Sequence, residues 1–120
     1  MNRFVKIVLG LMVFALSTQT FAIGAIAIDD EEGNSANDIG YGLGFGDSKE
    51  SASREALRKC RAAGNTNCAV KVWFESCGAY AVSRRYYGVG WGRDIETAER
   101  NALKQCNNSA CKIAVSECDD

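Results

Sequence analysis

The chain carries one segment twice. Residues 41–60 read YGLGFGDSKESASREALRKC, and residues 87–106 read YGVGWGRDIETAERNALKQC; ten positions match without a gap. They are Tyr41/Tyr87, Gly42/Gly88, Gly44/Gly90, Gly46/Gly92, Glu50/Glu96, Ala52/Ala98, Arg54/Arg100, Ala56/Ala102, Leu57/Leu103 and Cys60/Cys106. In each copy large side chains alternate with glycines, which is the period of a strand with side chains on one face and bare backbone on the other. A helical stretch follows each stripe. Ser48 and Asp94 stand where a helix N-cap accepts free amides, and Glu50 and Glu96 sit in the first turn against the positive end of the dipole. Ala52, Ala56, Leu57 and Cys60 share one helix face, as do Ala98, Ala102, Leu103 and Cys106. A face this small lets a helix approach a sheet closely, so the bare glycine face is expected to seat a helix. The sharper alternative is a flat ledge on which Tyr41, Phe45, Tyr87 and Trp91 offer stacking faces to a sugar or a partner.

Short apolar runs complete each copy. Ala25–Ile28 and Ala79–Val82 precede the stripes, forming a hairpin with them, and Ala69–Phe74 and Lys112–Val115 follow the helices. Each repeat thus reads β-β-α-β, repeat one over residues 24–77 and repeat two over 78–118. With almost no linker between them, the expectation is a small α+β protein, one fused domain over residues 23–120. Trp73 and Phe74 are adjacent on a strand and point to opposite faces, one into the core and the other outward.

The first 22 residues have the pattern of a secretory signal: Arg3 and Lys6, a short apolar run Ile7–Leu16, and Thr20-Phe21-Ala22 as a cleavage site. The run is short for a helix that must cross about 30 Å of hydrocarbon, so a signal peptide over residues 1–22, and no membrane span after cleavage, are expected. Removing Arg3 and Lys6 from the 14 basic groups leaves 12 against 15 acidic ones. A net acidic chain argues against nucleic acid or an anionic membrane as partner.

All six cysteines lie after the predicted cleavage site, an even count that in a short exported chain reads as three disulfides. The repeat narrows the pairings. Cys60 and Cys106 end the helices, and Cys68 and Cys111 begin the following strands. Cys60–Cys68 and Cys106–Cys111 then staple each helix to its next strand, leaving Cys77–Cys118 to join the ends of the two repeats. There is no CxxC, and histidine is absent from the chain, so neither a zinc site nor a histidine-based catalytic triad is available. The stripes lack the spacing and the Lys-Ser/Thr of a phosphate loop. No cofactor is expected.

What differs between the copies is where a partner would be read. The first hairpin loop, Asp29–Asp38, is acidic (DDEEGNSAND), and it fails the EF-hand pattern for calcium. The second is basic and aromatic. The candidate partner contacts are Asp29, Asp30, Glu31 and Glu32 in the first loop, Arg84, Arg85, Tyr86 and Tyr87 in the second, and Trp91 on the stripe. No catalytic residue is assigned. The reading is a non-enzymatic exported module that contacts a protein or a glycan. An alternative is a periplasmic inhibitor or immunity protein whose acidic loop blocks a cell-wall-acting enzyme or toxin. A carboxylate-based hydrolase is a third possibility, and it requires two facing carboxylates.

The segments GAIAI and GAYAV, the YGxGxG stripes, the A-x3-AL-x2-C helices and the closing Cys118 resemble the bacterial family called domain of unknown function 4189, over Gly24–Cys118. The resemblance implies a small, exported, cysteine-rich, non-enzymatic domain and brings no catalytic residues with it. The acidic first loop of this chain is longer than the family pattern.

Overall fold

The structure, a computed structural model, describes residues 22–30, 36 and 38–119. The predicted signal segment, save Ala22, and Glu31 and Glu32 lie outside the described residues. The elements run β1 (Ile23–Asp29), β2 (Gly40–Gly46), α1 (Lys49–Ala62), β3 (Ala69–Phe74), β4 (Cys77–Val82), β5 (Tyr87–Gly92), α2 (Ile95–Cys106) and β6 (Lys112–Cys118). This is β-β-α-β twice, as the repeat predicts. Each unit folds into a three-stranded antiparallel sheet with its first strand in the centre, in the orders β2-β1-β3 and β5-β4-β6.

The period-two alternation of the central strands sets the layering. On β1, Ala25 and Ala27 pack with Ala52, Ala56 and Cys60 of α1, while Ile26 and Ile28 face the other way. On β4, Ala79 and Ala81 pack with Ala98, Ala102 and Cys106 of α2, while Tyr80 and Val82 face the other way. The large residues of both sheets then meet in one core, Ile26, Ile28, Val72 and Phe74 against Tyr80, Val82 and Val115. The result is four layers, helix–sheet–sheet–helix, with small residues under the helices and large ones between the sheets. Phe74 crosses the middle of that core, over Gly24 of β1 and Gly78 of β4, where a Cβ would collide with its ring.

The glycine stripes are helix seats. A Cβ at Gly44 would land on the backbone of α1 at Ala52 O and Ala56 N, and one at Gly90 on the backbone of α2 at Ala98 O and Ala102 N. Both helices begin as the sequence indicates. Ser48 Oγ accepts from Ser51 N (3.1 Å), with Ser51 Oγ reaching back to Ser48 N to close a capping box. Asp94 Oδ1 accepts from Thr97 N at 2.8 Å. Leu103 departs from expectation. It is 38% exposed, because Ala98, Ala102 and Cys106 alone fill the contact with the sheet.

The three disulfides have the expected connectivity: Cys60–Cys68, Cys106–Cys111 and Cys77–Cys118. The role of the third is corrected. Cys77 does not close repeat one; it opens β4 and lies directly opposite Cys118 of β6 in the same sheet, with Cα atoms 4.0 Å apart. The turn into β4 falls at Glu75-Ser76, two residues before the boundary read from the sequence. Every bridge therefore lies within one half. The halves are joined by the chain at that turn and by the core between the sheets.

Candidate functional site

A concavity of about 700 Å³ lies between the two halves and is lined by β3, the β3–β4 turn, the end of β5 and the start of α1. That size suits a small ligand or part of a larger one. Two tryptophans line it, Trp73 (39% exposed) and Trp91 (58% exposed), and they are the only two in the chain. Three cations, Lys49, Lys71 and Arg93, accompany them, with Glu75 as the one carboxylate among the described lining residues.

Local structure places each group. Trp73 precedes core-facing Phe74 on β3, so its ring turns to the opposite side, toward α1. There its Nε1–H donates to Ser53 Oγ (2.8 Å), and Lys49 Nζ lies 5.2 Å from the ring centroid. Trp73 is thus held at its edge and covered by a cation on a face. Lys71 is the extra residue of a β-bulge: Ile26 pairs with Val72 and Ala27 with Val70, leaving Lys71 unmatched. Its ammonium crosses to the other half, 5.1 Å from the Tyr87 ring centroid. Trp91 sits at the end of β5 with its carbonyl accepting from Asn101 Nδ2 (3.0 Å), and Arg93 follows it.

The groove is asymmetric although the fold is duplicated. The strand registers and the repeat alignment give each lining residue a counterpart in the other half: Lys49/Ile95, Lys71/Ala114, Trp73/Ser116, Arg93/Asp47 and Trp91/Phe45. One scaffold accepts both members of each pair. The fold therefore does not demand the cations or Trp73.

The other expected contacts separate. Asp29 is not a loop residue: it ends β1, is fully buried, and its Oδ2 accepts from Thr66 N (3.1 Å) and Asn67 N (3.0 Å), fixing the α1–β3 turn. A carboxylate holding two backbone amides inside the protein is structural, so its place among partner contacts is corrected. Asp30, Arg84, Arg85, Tyr86 and Tyr87 do come together around a cavity of about 290 Å³. The hairpin turn beneath them is closed by Ser83 N donating to Tyr86 O (2.8 Å) and Tyr86 N donating to Ser83 Oγ (3.2 Å). Tyr80, stacked on Tyr87 with ring centroids 5.7 Å apart, lies below. Burial, then the nearby Asp30 charge, pushes the Tyr80 phenol well above its usual range. It stays a neutral O–H, with no hydrogen-bond partner among the described residues.

Sequence reasoning marked Trp91 and left open which of Trp73 and Phe74 is exposed; it missed Lys49, Lys71 and Arg93. Two signals were present. Lys49 stands at the first helical position, where a cation opposes the dipole, and Lys71 interrupts an otherwise apolar strand run.

The family model described as Domain of unknown function (DUF4189) matches residues 23–118. The chain belongs to this family. Neither a curated protein nor a solved structure matches it. The DUF4189 match spans both halves of the fold and both walls of the groove. It contains all six cysteines, each of them paired.

Proposed function

We propose that this DUF4189 domain is a non-enzymatic binding module, working in an oxidising compartment outside the cytosol, that takes a protein or glycan partner in the groove between its halves. The asymmetry of the groove carries the reading. At the positions equivalent to Lys49, Lys71 and Trp73 of the first half and Arg93 of the second stand Ile95, Ala114, Ser116 and Asp47. An internal control for foldability is thus built into the chain. Partly exposed tryptophans beside cations match the composition of recognition surfaces. Three disulfides in so short a chain support the compartment. No helix among the described residues is long and apolar enough to cross a membrane. The single carboxylate among the described lining residues supports binding over hydrolysis, which would need a facing pair.

The test exchanges groove residues for their counterparts: Lys49→Ile, Lys71→Ala, Trp73→Ser and Arg93→Asp in one protein. Wild-type and exchanged proteins, both oxidised, are incubated with envelope extract and culture fluid. Retained material is then identified by mass spectrometry and sugar analysis. The exchanged protein should fold and lose the species that the wild type retains. Identical retention by the two proteins would overturn the reading.

A further inference from the structure

We propose that the groove selects an acidic carbohydrate, with a sugar ring stacked on Trp91 and its anionic substituent held by Lys71 and Arg93. This rests on the binding reading above and deepens it by choosing between its two partner classes.

Three observations favour a sugar over a peptide. The first concerns the strand edges. An extended peptide gains affinity by adding to a free sheet edge, and both strands bordering the groove resist this. On β5, Val89 N–H is taken by Gln105 Oε1 (2.6 Å) and Trp91 C=O by Asn101 Nδ2 (3.0 Å), both from α2. On β3, the bulge at Lys71 breaks the regular ladder and sets a lysine in the edge, two devices that block strand addition. Recognition therefore falls to side chains.

Second, the aromatic groups are unequal. Trp73 is tied at its nitrogen by Ser53 and covered by Lys49. Trp91 is the more exposed of the two, and the hydrogen bond at its residue is made by the main chain, which leaves the indole without a hydrogen bond to any described residue. A flat, rigid, half-exposed ring suits the apolar C–H face of a sugar, at little conformational cost.

Third, the charge is local and selective. The chain carries a formal net charge of −1, yet the groove holds Lys49, Lys71 and Arg93 against Glu75. Each ammonium lies over a ring, Lys49 on Trp73 and Lys71 on Tyr87. Such a contact uses none of the N–H donors, so Lys71, with Arg93 two residues after Trp91, can still bind an anion. Glu75 remains to accept hydrogen bonds from sugar hydroxyls. A guanidinium and an ammonium together fit a carboxylate or a sulfate, so uronic and sulfated sugars share the chemistry.

The test titrates the disulfide-bonded protein by calorimetry and by intrinsic fluorescence, which both groove tryptophans report. The probes are oligogalacturonate, which carries carboxylates only, a heparin-derived oligosaccharide carrying sulfate as well, neutral cellohexaose, and hexaglutamate. At least one acidic sugar should bind about tenfold more tightly than cellohexaose and hexaglutamate. Trp91→Ala should weaken that binding about tenfold, and Lys71→Gln with Arg93→Gln by a similar factor. Raised salt should weaken it further. The stronger of the two acidic sugars identifies the anionic group. Circular dichroism confirms that each variant is folded. Hexaglutamate binding as tightly as any sugar, with loss in Trp91→Ala, would overturn the carbohydrate assignment and leave the groove standing. Acidic sugars that bind Trp91→Ala as well as they bind wild type, or none that binds, would overturn it too. Retention shared by wild type and the counterpart exchange removes the groove itself.

Discussion

Gly44→Ala and Gly90→Ala should be the most informative single-methyl changes in this protein. A Cβ at either position meets rigid helix backbone: Ala52 O and Ala56 N for Gly44, Ala98 O and Ala102 N for Gly90. Ordinary contact begins near 3.4 Å, so each helix must move outward by roughly 1 Å, out of a seat formed by fully buried alanines. Overpacking of this kind costs about 1–3 kcal/mol. The alanine also lowers unfolded-state entropy, which offsets about 0.4–1 kcal/mol, and neither glycine has a positive φ to add strain. The net expectation is a loss of up to about 2.5 kcal/mol, centred near about 1.3 kcal/mol, or roughly 5–10 °C in Tm for a domain of this size. Gly46→Ala is the matched control. Its Cβ first meets the Ser51 side chain, with the Ala52 backbone at 3.0 Å, so its cost should stay below about 1 kcal/mol. Urea unfolding of the oxidised proteins measures all three. If Gly44→Ala and Gly90→Ala lose no more stability than Gly46→Ala, the stripes are not helix seats and the layer argument fails.

Three further outcomes follow from the same structure. Replacing Cys77 and Cys118 together by alanine opens a closure with a sequence separation of 41, worth about 4 kcal/mol on the chain-entropy model. Replacing Cys106 and Cys111 opens one with a separation of 5, worth about 2 kcal/mol; equal losses in the two pairs would contradict that account. Asp29→Ala leaves the Thr66 and Asn67 amides without their acceptor and should cost about 3 kcal/mol in urea unfolding. Unchanged stability would return Asp29 to the surface loop. The Phe45 N–H (2.8 Å) holds the Glu55 carboxyl below the usual carboxylate range, aided by Lys59 and Arg58, and the Thr97 N–H does the same for Asp94. Depressed carboxylates give stability that is fully present above the unfolded values and is lost as pH falls through the folded ones. The acid limb of stability should therefore lie below the unfolded values and flatten in Glu55→Gln with Asp94→Asn; an unaltered limb would refute it.

Much of the fold was legible because the duplication repeats local rules. Alternating glycines, capping residues and small helix faces each act within a few positions, and together they predict both β-β-α-β units and the cysteine pairs. The shift of Cys77 into the second sheet was not legible. Its assignment depends on where the chain turns, and Glu75-Ser76 carries no glycine or proline to mark the turn. Asp29 was misread for a related reason. In a run of acidic residues nothing local separates the one carboxylate that turns inward to meet Thr66 and Asn67. The groove was the least legible feature. Lys49, Lys71 with Trp73, and Trp91 with Arg93 come from three separate stretches and meet only when the sheets pack. A comparison of the two copies beyond the aligned segment would have pointed toward it, since Lys71/Ala114 and Trp73/Ser116 are sharp mismatches in a duplicated frame.

The groove is tested most directly by the two indole N–H signals in a nitrogen-15 correlation spectrum, recorded while oligogalacturonate and the heparin-derived oligosaccharide are added in turn. With the sugar that binds, the Trp91 signal should move by more than the Trp73 signal, whose N–H is tied to Ser53, and backbone shifts should cluster at Lys71, Glu75 and Arg93. Shifts confined to the Arg84–Tyr87 turn, with both indole signals stationary, would contradict the account.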